Sequence, residues 1–252
     1  MISKNELKYY SSLIKKKFRE SEKKFLVEGQ KSVYEGIKSD FDCEIVFVTN
    51  KFAAEEVQFI KDLESRNFKV AVLKSTDFNK VSDTKTPQGI AAVFEIKKTK
   101  LNLISLDDPL LVYLENISDP GNFGTIIRTC DWFGIQNILL SKESSGIFNP
   151  KVIRSSMGSV FHVNIFEDVT LDELSVLKNS GYEFLCGDID GENVYEIKKK
   201  ERTLLFLANE SRGPSEKLLT ITDKKITIPG KGKAESLNVA AASAIILAEL
   251  TK

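Results

Sequence analysis

A chain of 252 residues, 42% of them hydrophobic, can build packed cores in one large domain or two modest ones. It contains no run of the roughly 18 apolar residues a membrane helix needs. The opening MISKNELKYY has no apolar stretch of signal-peptide type, so a soluble, cytoplasmic protein with no membrane partner is expected. The 36 bases balance 36 acids, which excludes a protein that binds nucleic acid through overall charge alone. The balance is uneven, however. The first 38 residues hold ten bases against five acids, a pattern that fits a phosphate-binding arm and equally a solvated helix face.

Cys43, Cys130 and Cys186 are far apart, odd in number and without CxxC spacing. Buried free thiols are expected rather than a disulfide framework or a zinc site, and no metal is expected. The lone histidine, His162, lies in SVFHVNIF, an alternating run that reads as a strand and favours a structural imidazole.

From the N-terminus, Leu7, Tyr10, Ile14 and Phe18 recur at helical spacing and predict one amphipathic helix. Four short apolar runs follow, at 25–27, 45–48, 70–73 and 90–94, separated by polar helix-like stretches. That is the pattern of a small α/β domain. Lys97-Lys98-Thr99-Lys100 breaks it, so the organisation reads as a first domain at 1–98, a linker at 99–107 and a second domain at 108–252. The second domain carries six further apolar runs, at 110–114, 138–140, 162–166, 183–186, 204–207 and 226–228. An alanine-rich helix at 237–250 closes the chain.

Three polar loops leave strand ends in this second domain, where open α/β sheets bind ligands. The first runs from Glu115 to Gly124 and contains Asp119-Pro120-Gly121-Asn122, strong turn chemistry. A helix is expected from Thr125 to Phe133, stopped by Gly134. It would carry Thr125, Arg128 and Trp132 near one face and turn Ile126, Cys130 and Phe133 to the core. By spacing, Asn122 fits a helix cap as well as a ligand, and Arg128 a surface ion pair as well as a functional cation. The second loop, Ala208 to Ser215, presents Glu210, which also fits a turn-anchoring acid, and takes a tight path at Gly213-Pro214. In the third, Ile228 to Asn238, Gly230 and Gly232 let backbone approach a ligand closely. Ser236 or Asn238 can cap the helix that follows. The phosphate fingerprints GxGxxG and GxxxxGK[ST] are missing, which weighs against a nicotinamide oxidoreductase or a P-loop enzyme.

Together the loops resemble the SpoU/TrmH family of ribose methyltransferases, within the SPOUT superfamily. Its DPxNxG motif and following arginine are matched by Asp119 to Gly124 with Arg128. A strand ending in GxExxG resembles Ala208 to Gly213, and IPxxGxxxSLNV is met in every named letter by Ile228 to Val239. NPKVIRSSMG at 149–158 also looks like family sequence, and FLVEG at 25–29 with TPQG at 86–89 resembles its accessory substrate-binding domain. The resemblance implies an α/β protein whose C-terminal domain is a trefoil-knotted parallel-sheet methyltransferase. It also implies a smaller, ribosomal-protein-like N-terminal RNA-binding domain, a homodimer, and S-adenosylmethionine as cofactor. Carried over by position, Asn122, Arg128, Glu210, Ser236 and Asn238 would form the catalytic set. Ala208, Asn209, Gly213, Ile228, Gly230, Gly232 and Leu237 would hold the cofactor. Two departures stand out: Ala208 replaces a common glycine, and Gly230 a common larger apolar residue. The implied reaction is methyl transfer to a ribose 2′-hydroxyl of RNA, rRNA first. A tRNA methyltransferase and a catalytically silent RNA-binding protein of the same fold are the alternatives.

Overall fold

A computed structural model describes residues 2–97, 108–209 and 211–252. The expected linker at 99–107 and Glu210 lie outside the described residues. The chain forms two compact units, Met1–Lys97 with Ile147–Phe161, and Lys98–Gly146 with His162–Lys252.

In the first unit the expected N-terminal helix is two helices, α1 (Lys4–Ser12) and α2 (Lys16–Glu22). A capping box starts α1: Glu6 N donates to Ser3 Oγ, and Ser3 N to the Glu6 carboxylate. The helix breaks after Ser12, where Leu13 is fully buried. Arg19 explains the break. Its buried guanidinium donates from Nη1 to the carbonyls of Leu13 at 3.1 Å and Ile14 at 2.6 Å. These are carbonyls that a broken helix leaves open. One of the ten bases in the N-terminal arm is therefore structural and does not face solvent.

The four expected strands form here as β1 (Lys24–Glu28), β2 (Cys43–Thr49), β3 (Val70–Leu73) and β4 (Ile90–Glu95). They are interleaved with α3 (Gln30–Lys38), α4 (Asn50–Glu55), α5 (Val57–Ser65) and α6 (Ser75–Phe78). The sheet order is β1-β4-β2-β3, antiparallel across β4 and parallel between β2 and β3. One core joins Leu7, Tyr10 and Leu13 to Phe47, Phe78 and Val93. The FLVEG and TPQG stretches meet. Gln30 N donates to Gln88 Oε1 at 2.9 Å, while the Glu28 carboxylate pins the neighbouring turn through Ser82 Oγ, Asp83 N and Thr84 Oγ1.

The rest of the chain supplies β5 (Leu110–Glu115), α7 (Pro120–Trp132), β6 (Asn137–Leu140), α8 (Pro150–Ser156), β7 (Asn164–Phe166) and α9 (Ser175–Asn179). Then come β8 (Glu183–Asn193), β9 (Thr203–Ala208), α10 (Glu216–Ile221), β10 (Lys224–Thr227) and α11 (Val239–Leu250). Six strands make one parallel sheet in the order β10-β8-β9-β5-β6-β7. β5 and β9 are buried along their whole length, which is why they read as continuous apolar runs. On one face Leu111, Tyr113, Phe184 and Phe206 share a single cluster, in which Tyr113 and Phe184 each pack edge-on with Phe206. His162 does not lie in a strand. It sits in the turn before β7, with Nδ1 2.8 Å from the Asp131 carboxylate.

The stretch 147–161 packs with the first unit, although the sequence reading places it in the second domain. Phe148 lies 4.2 Å from Phe25 between ring centroids, and Phe161 5.2 Å from Phe94. Arg154 Nη1 pairs with Asp83 at 2.9 Å. Gly36 in α3 makes room for this cluster, since a Cβ there would stand 2.6 Å from the Phe94 ring and 2.7 Å from that of Phe161. Aromatic packing between segments 67 and 123 residues apart leaves no local pattern in a sequence.

Candidate active site

The three polar loops all leave the carboxyl ends of parallel strands, and hydrogen bonds tie them together. In the first loop Asp119 is the N-cap of α7, accepting from Asn122 N at 2.8 Å, and Pro120 takes the first helical position. The helix thus begins five residues before the expected Thr125. Asn122 is not the cap. Its Oδ1 accepts from Asn238 Nδ2 at 3.0 Å, which joins the first loop to the third across 116 residues. Arg128 is exposed beside Thr125 on the outer face of α7 and makes no hydrogen bond or ion pair with a described residue.

Asn209 binds the second loop to the first. Its Nδ2 donates to Asn116 O at 3.1 Å and Ser118 Oγ at 3.3 Å. Its Oδ1 accepts from Ser211 N and Arg212 N, and the turn closes through Gly213, at φ 67°, donating to Asn209 O. A second tie went unread in the sequence. Glu115, buried at the end of β5, accepts from Ser215 N at 2.8 Å and Ser215 Oγ at 2.6 Å, while Ser215 caps α10. A lone acid ending the apolar run LLVYLE was the available signal.

In the third loop Asn238, not Ser236, caps α11, its Oδ1 accepting from Ala240 N at 2.9 Å and Ala241 N at 3.3 Å. The helix starts at Val239 rather than Leu237 and packs on α7 and β9. The third loop therefore leaves the edge strand β10, passes the ends of β8 and β9, and arrives beside the helix that follows β5.

Beneath it lies a cavity of about 430 Å³, within the ~300–1,000 Å³ of small-molecule sites. Ala208, Asn209, Gly213, Ile228, Gly230, Gly232 and Leu237 all line it, and so does Ser236. Asn122 and Arg128 stand outside the lining, and Asn238 lies between two lining residues, Leu237 and Val239. The expected strand at 183–186 hid one wall. β8 continues to Asn193 with an irregular register against β10: Cys186 pairs with Lys225, but Glu192 with Ile226. The intervening bulge puts Gly187, Asp188 and Ile189 on the cavity. At Gly187 a Cβ would stand 3.1 Å from Ile246 Cδ1. The lining suits S-adenosylmethionine: Leu207, Ile228, Leu237 and Ile246 offer apolar surface for a flat ring, and glycine-rich backbone and polar side chains offer hydrogen-bond groups for a ribose and an amino-acid moiety. Among the described residues no group of three or more His, Cys, Asp or Glu could hold a metal ion.

Residues 109–248 match the SpoU rRNA Methylase family, and residues 4–92 match the MRM3-like substrate binding domain. The chain belongs to the SpoU rRNA methylase family. Within it, the chain is 33% identical to the Bacillus subtilis 23S rRNA (guanosine(2553)-2′-O)-methyltransferase RlmP, over 97% of this chain and 95% of that enzyme. A TrmH-family structure from Porphyromonas gingivalis superposes with a TM-score of 0.85 at 32% identity, covering 99% of this chain and 98% of the other. An rRNA methyltransferase from Sinorhizobium meliloti, solved with AdoMet bound, gives 0.86 at 26% identity, over 99% and 95%. The parallel-sheet unit is accordingly the SPOUT-type, trefoil-knotted methyltransferase domain of the SpoU family, and the mixed-sheet unit is its smaller α/β substrate-binding domain.

Proposed function

We propose that this SpoU-family protein transfers the methyl group of S-adenosylmethionine to a ribose 2′-hydroxyl of rRNA, and that it acts as a homodimer in the cytoplasm. The observation that carries the reading is the Asn122–Asn238 hydrogen bond, which brings the first and third motifs together at the edge of the cavity. An rRNA substrate is supported by similarity to the B. subtilis enzyme along nearly the whole chain and by the substrate-binding domain matched at 4–92.

Bound in the cavity, S-adenosylmethionine would supply an electrophilic methyl on a sulfonium. The protein's own task is to orient a poor nucleophile. Arg128, exposed and presenting the planar donor fork of a guanidinium, holds the target phosphate or ribose. The Asn122 and Asn238 amides and the Ser236 hydroxyl orient the attacking hydroxyl, and Glu210, by its motif position, neutralises or aims the arginine. Positioning of this kind can supply roughly 7–11 kcal/mol of barrier reduction. Incubation of the protein with methyl-labelled S-adenosylmethionine and rRNA should place label on a ribose. Arg128→Ala should lower that turnover by about 10²-fold. Near-normal turnover would remove Arg128 from the mechanism, and RNA binding without label would make the protein a silent binder.

For the dimer, α11 is apolar except at Ser243 and Glu249, with Ala241 exposed and Ile245 and Ala248 only half-buried. A helix of that kind is expected to be covered. Trp132, at the end of the neighbouring α7, is 83% exposed. Sedimentation should give twice the 28.3 kDa chain mass, and a 28.3 kDa species at micromolar concentration would refute the dimer. The cytoplasmic reading is supported by the three free cysteines, which suit a reducing compartment. No described helix is long and apolar enough to cross a membrane.

A further inference from the structure

The bulge in β8 carries a carboxylate that neither the motifs nor the proposed catalytic set uses. Two described carboxylates line the cavity. Glu235 rides the exposed third loop. Asp188 stands at the strand end, its side chain only 15% exposed. Its Oδ1 accepts from Ile189 N at 2.7 Å, and its Oδ2 lies 3.2 Å from Lys225 Nζ. An ionised carboxylate has about four acceptor positions, so two remain for a ligand. Lys225 also pairs with Asp190, which is 75% exposed and does not line the cavity. The lysine therefore clamps the bulge to β10, and this orients Asp188.

Strand order indicates which part of a cofactor Asp188 meets. Asn122 and Arg128 follow β5, whereas Asp188 follows β8, with β9 between them. The offset is two strand spacings, ~10 Å. The reacting end of the cofactor belongs beside the Asn122–Asn238 pair, so its nucleoside end extends towards β8. Apolar Ile189 and Ile228 line the same cavity and suit a base, while Asp188 suits the sugar. An acid at the end of a parallel strand serves the same purpose in dinucleotide-binding folds, where it takes a ribose hydroxyl.

Resting on the cofactor reading above, we infer that Asp188 accepts a hydrogen bond from the ribose 2′-hydroxyl of the bound nucleoside and makes the pocket selective for a ribonucleoside over its 2′-deoxy form. The inference is tested by calorimetric binding of S-adenosylhomocysteine and its 2′-deoxyribose analogue to the full-length protein. Asp188→Asn keeps the shape of the side chain and removes its charge, and a thermal melt checks that the variant is folded. It should weaken S-adenosylhomocysteine by about 10- to 100-fold, the range for a hydrogen bond to a charged group. The 2′-deoxy analogue should bind the unaltered protein weakly, and the substitution should weaken it little further. Asp190→Asn, which removes the other partner of Lys225, should leave both ligands unaffected. Equal loss of both ligands would mean that Asp188 serves the amino-acid end or the fold, and it would overturn the inference. Unchanged binding by Asp188→Asn, or a matching loss by Asp190→Asn, would overturn it as well. Failure of the unaltered protein to bind S-adenosylhomocysteine would instead sink the cofactor reading itself, and this inference with it.

Discussion

Asn238→Asp should leave the terminal helix as stable as before and still lower methyl transfer by about 10²-fold. The two ends of the Asn238 amide do different things. Oδ1 caps α11 through Ala240 N and Ala241 N, and Nδ2 donates to Asn122 Oδ1. Aspartate keeps the capping oxygen, and its negative charge is favourable at a helix N-terminus. It replaces the donor with an acceptor, which then faces the acceptor of Asn122 at a separation of 3.0 Å. Asn122 can escape only by turning its own amide over, which reverses the group it offers to the ribose hydroxyl. Thermal melting and single-turnover rates on the same samples check the prediction. An unchanged melting temperature with near-normal turnover would detach this bond from catalysis. Combining the variant with Asn122→Ala should cost little more than either change alone, because residues in direct contact do not act additively.

Removing residues 1–97 should yield no soluble methyltransferase domain. The division into domains at 1–98 and 108–252 expected from the sequence favours the opposite result, a cofactor-binding fragment that has lost mainly its RNA affinity. The difference is the stretch 147–161, which lies between the catalytic motifs and packs in the first unit. Val152, Ile153, Val160 and Phe161 are buried there, and Phe148 packs against Phe25. Deletion exposes this cluster, at about 1.5–3 kcal/mol for each fully buried side chain, and leaves an apolar patch prone to association. Arg154 also loses Asp83. Expression of 98–252 should give aggregated material, whereas a fragment in which a short polar linker replaces 147–161 should be soluble and bind S-adenosylhomocysteine. A well-behaved 98–252 fragment would show that the stretch holds itself together without the first unit.

The strands of the sheet were legible because strands covered on both faces are apolar along most of their length, as LLVYLE and TLLFLA are, and their parallel arrangement was implied by the family resemblance. The cavity lining was largely legible for a related reason. Parallel strands release their loops at one end of the sheet, so polar, glycine-rich stretches following apolar runs converge there whatever their separation in the chain. Local chemistry misled where two roles fit one residue. Asp119 rather than Asn122 caps α7, and a buried Arg19 turns one expected helix into two. The wall made by Gly187, Asp188 and Ile189 was invisible because a bulge is a mismatch between two strands, and one strand read alone cannot show it.

The amino-acid sequence alone determined where the strands lie, though not all their bounds, together with the three loops and the family, because each motif is written in residues close together along the chain. Only the folded structure decided that Asn122 meets Asn238, that Glu115 holds Ser215, and that 147–161 belongs with the N-terminal unit. These are contacts across 116, 100 and more than a hundred residues, set by how strands order and side chains pack, and no single stretch of sequence names both partners.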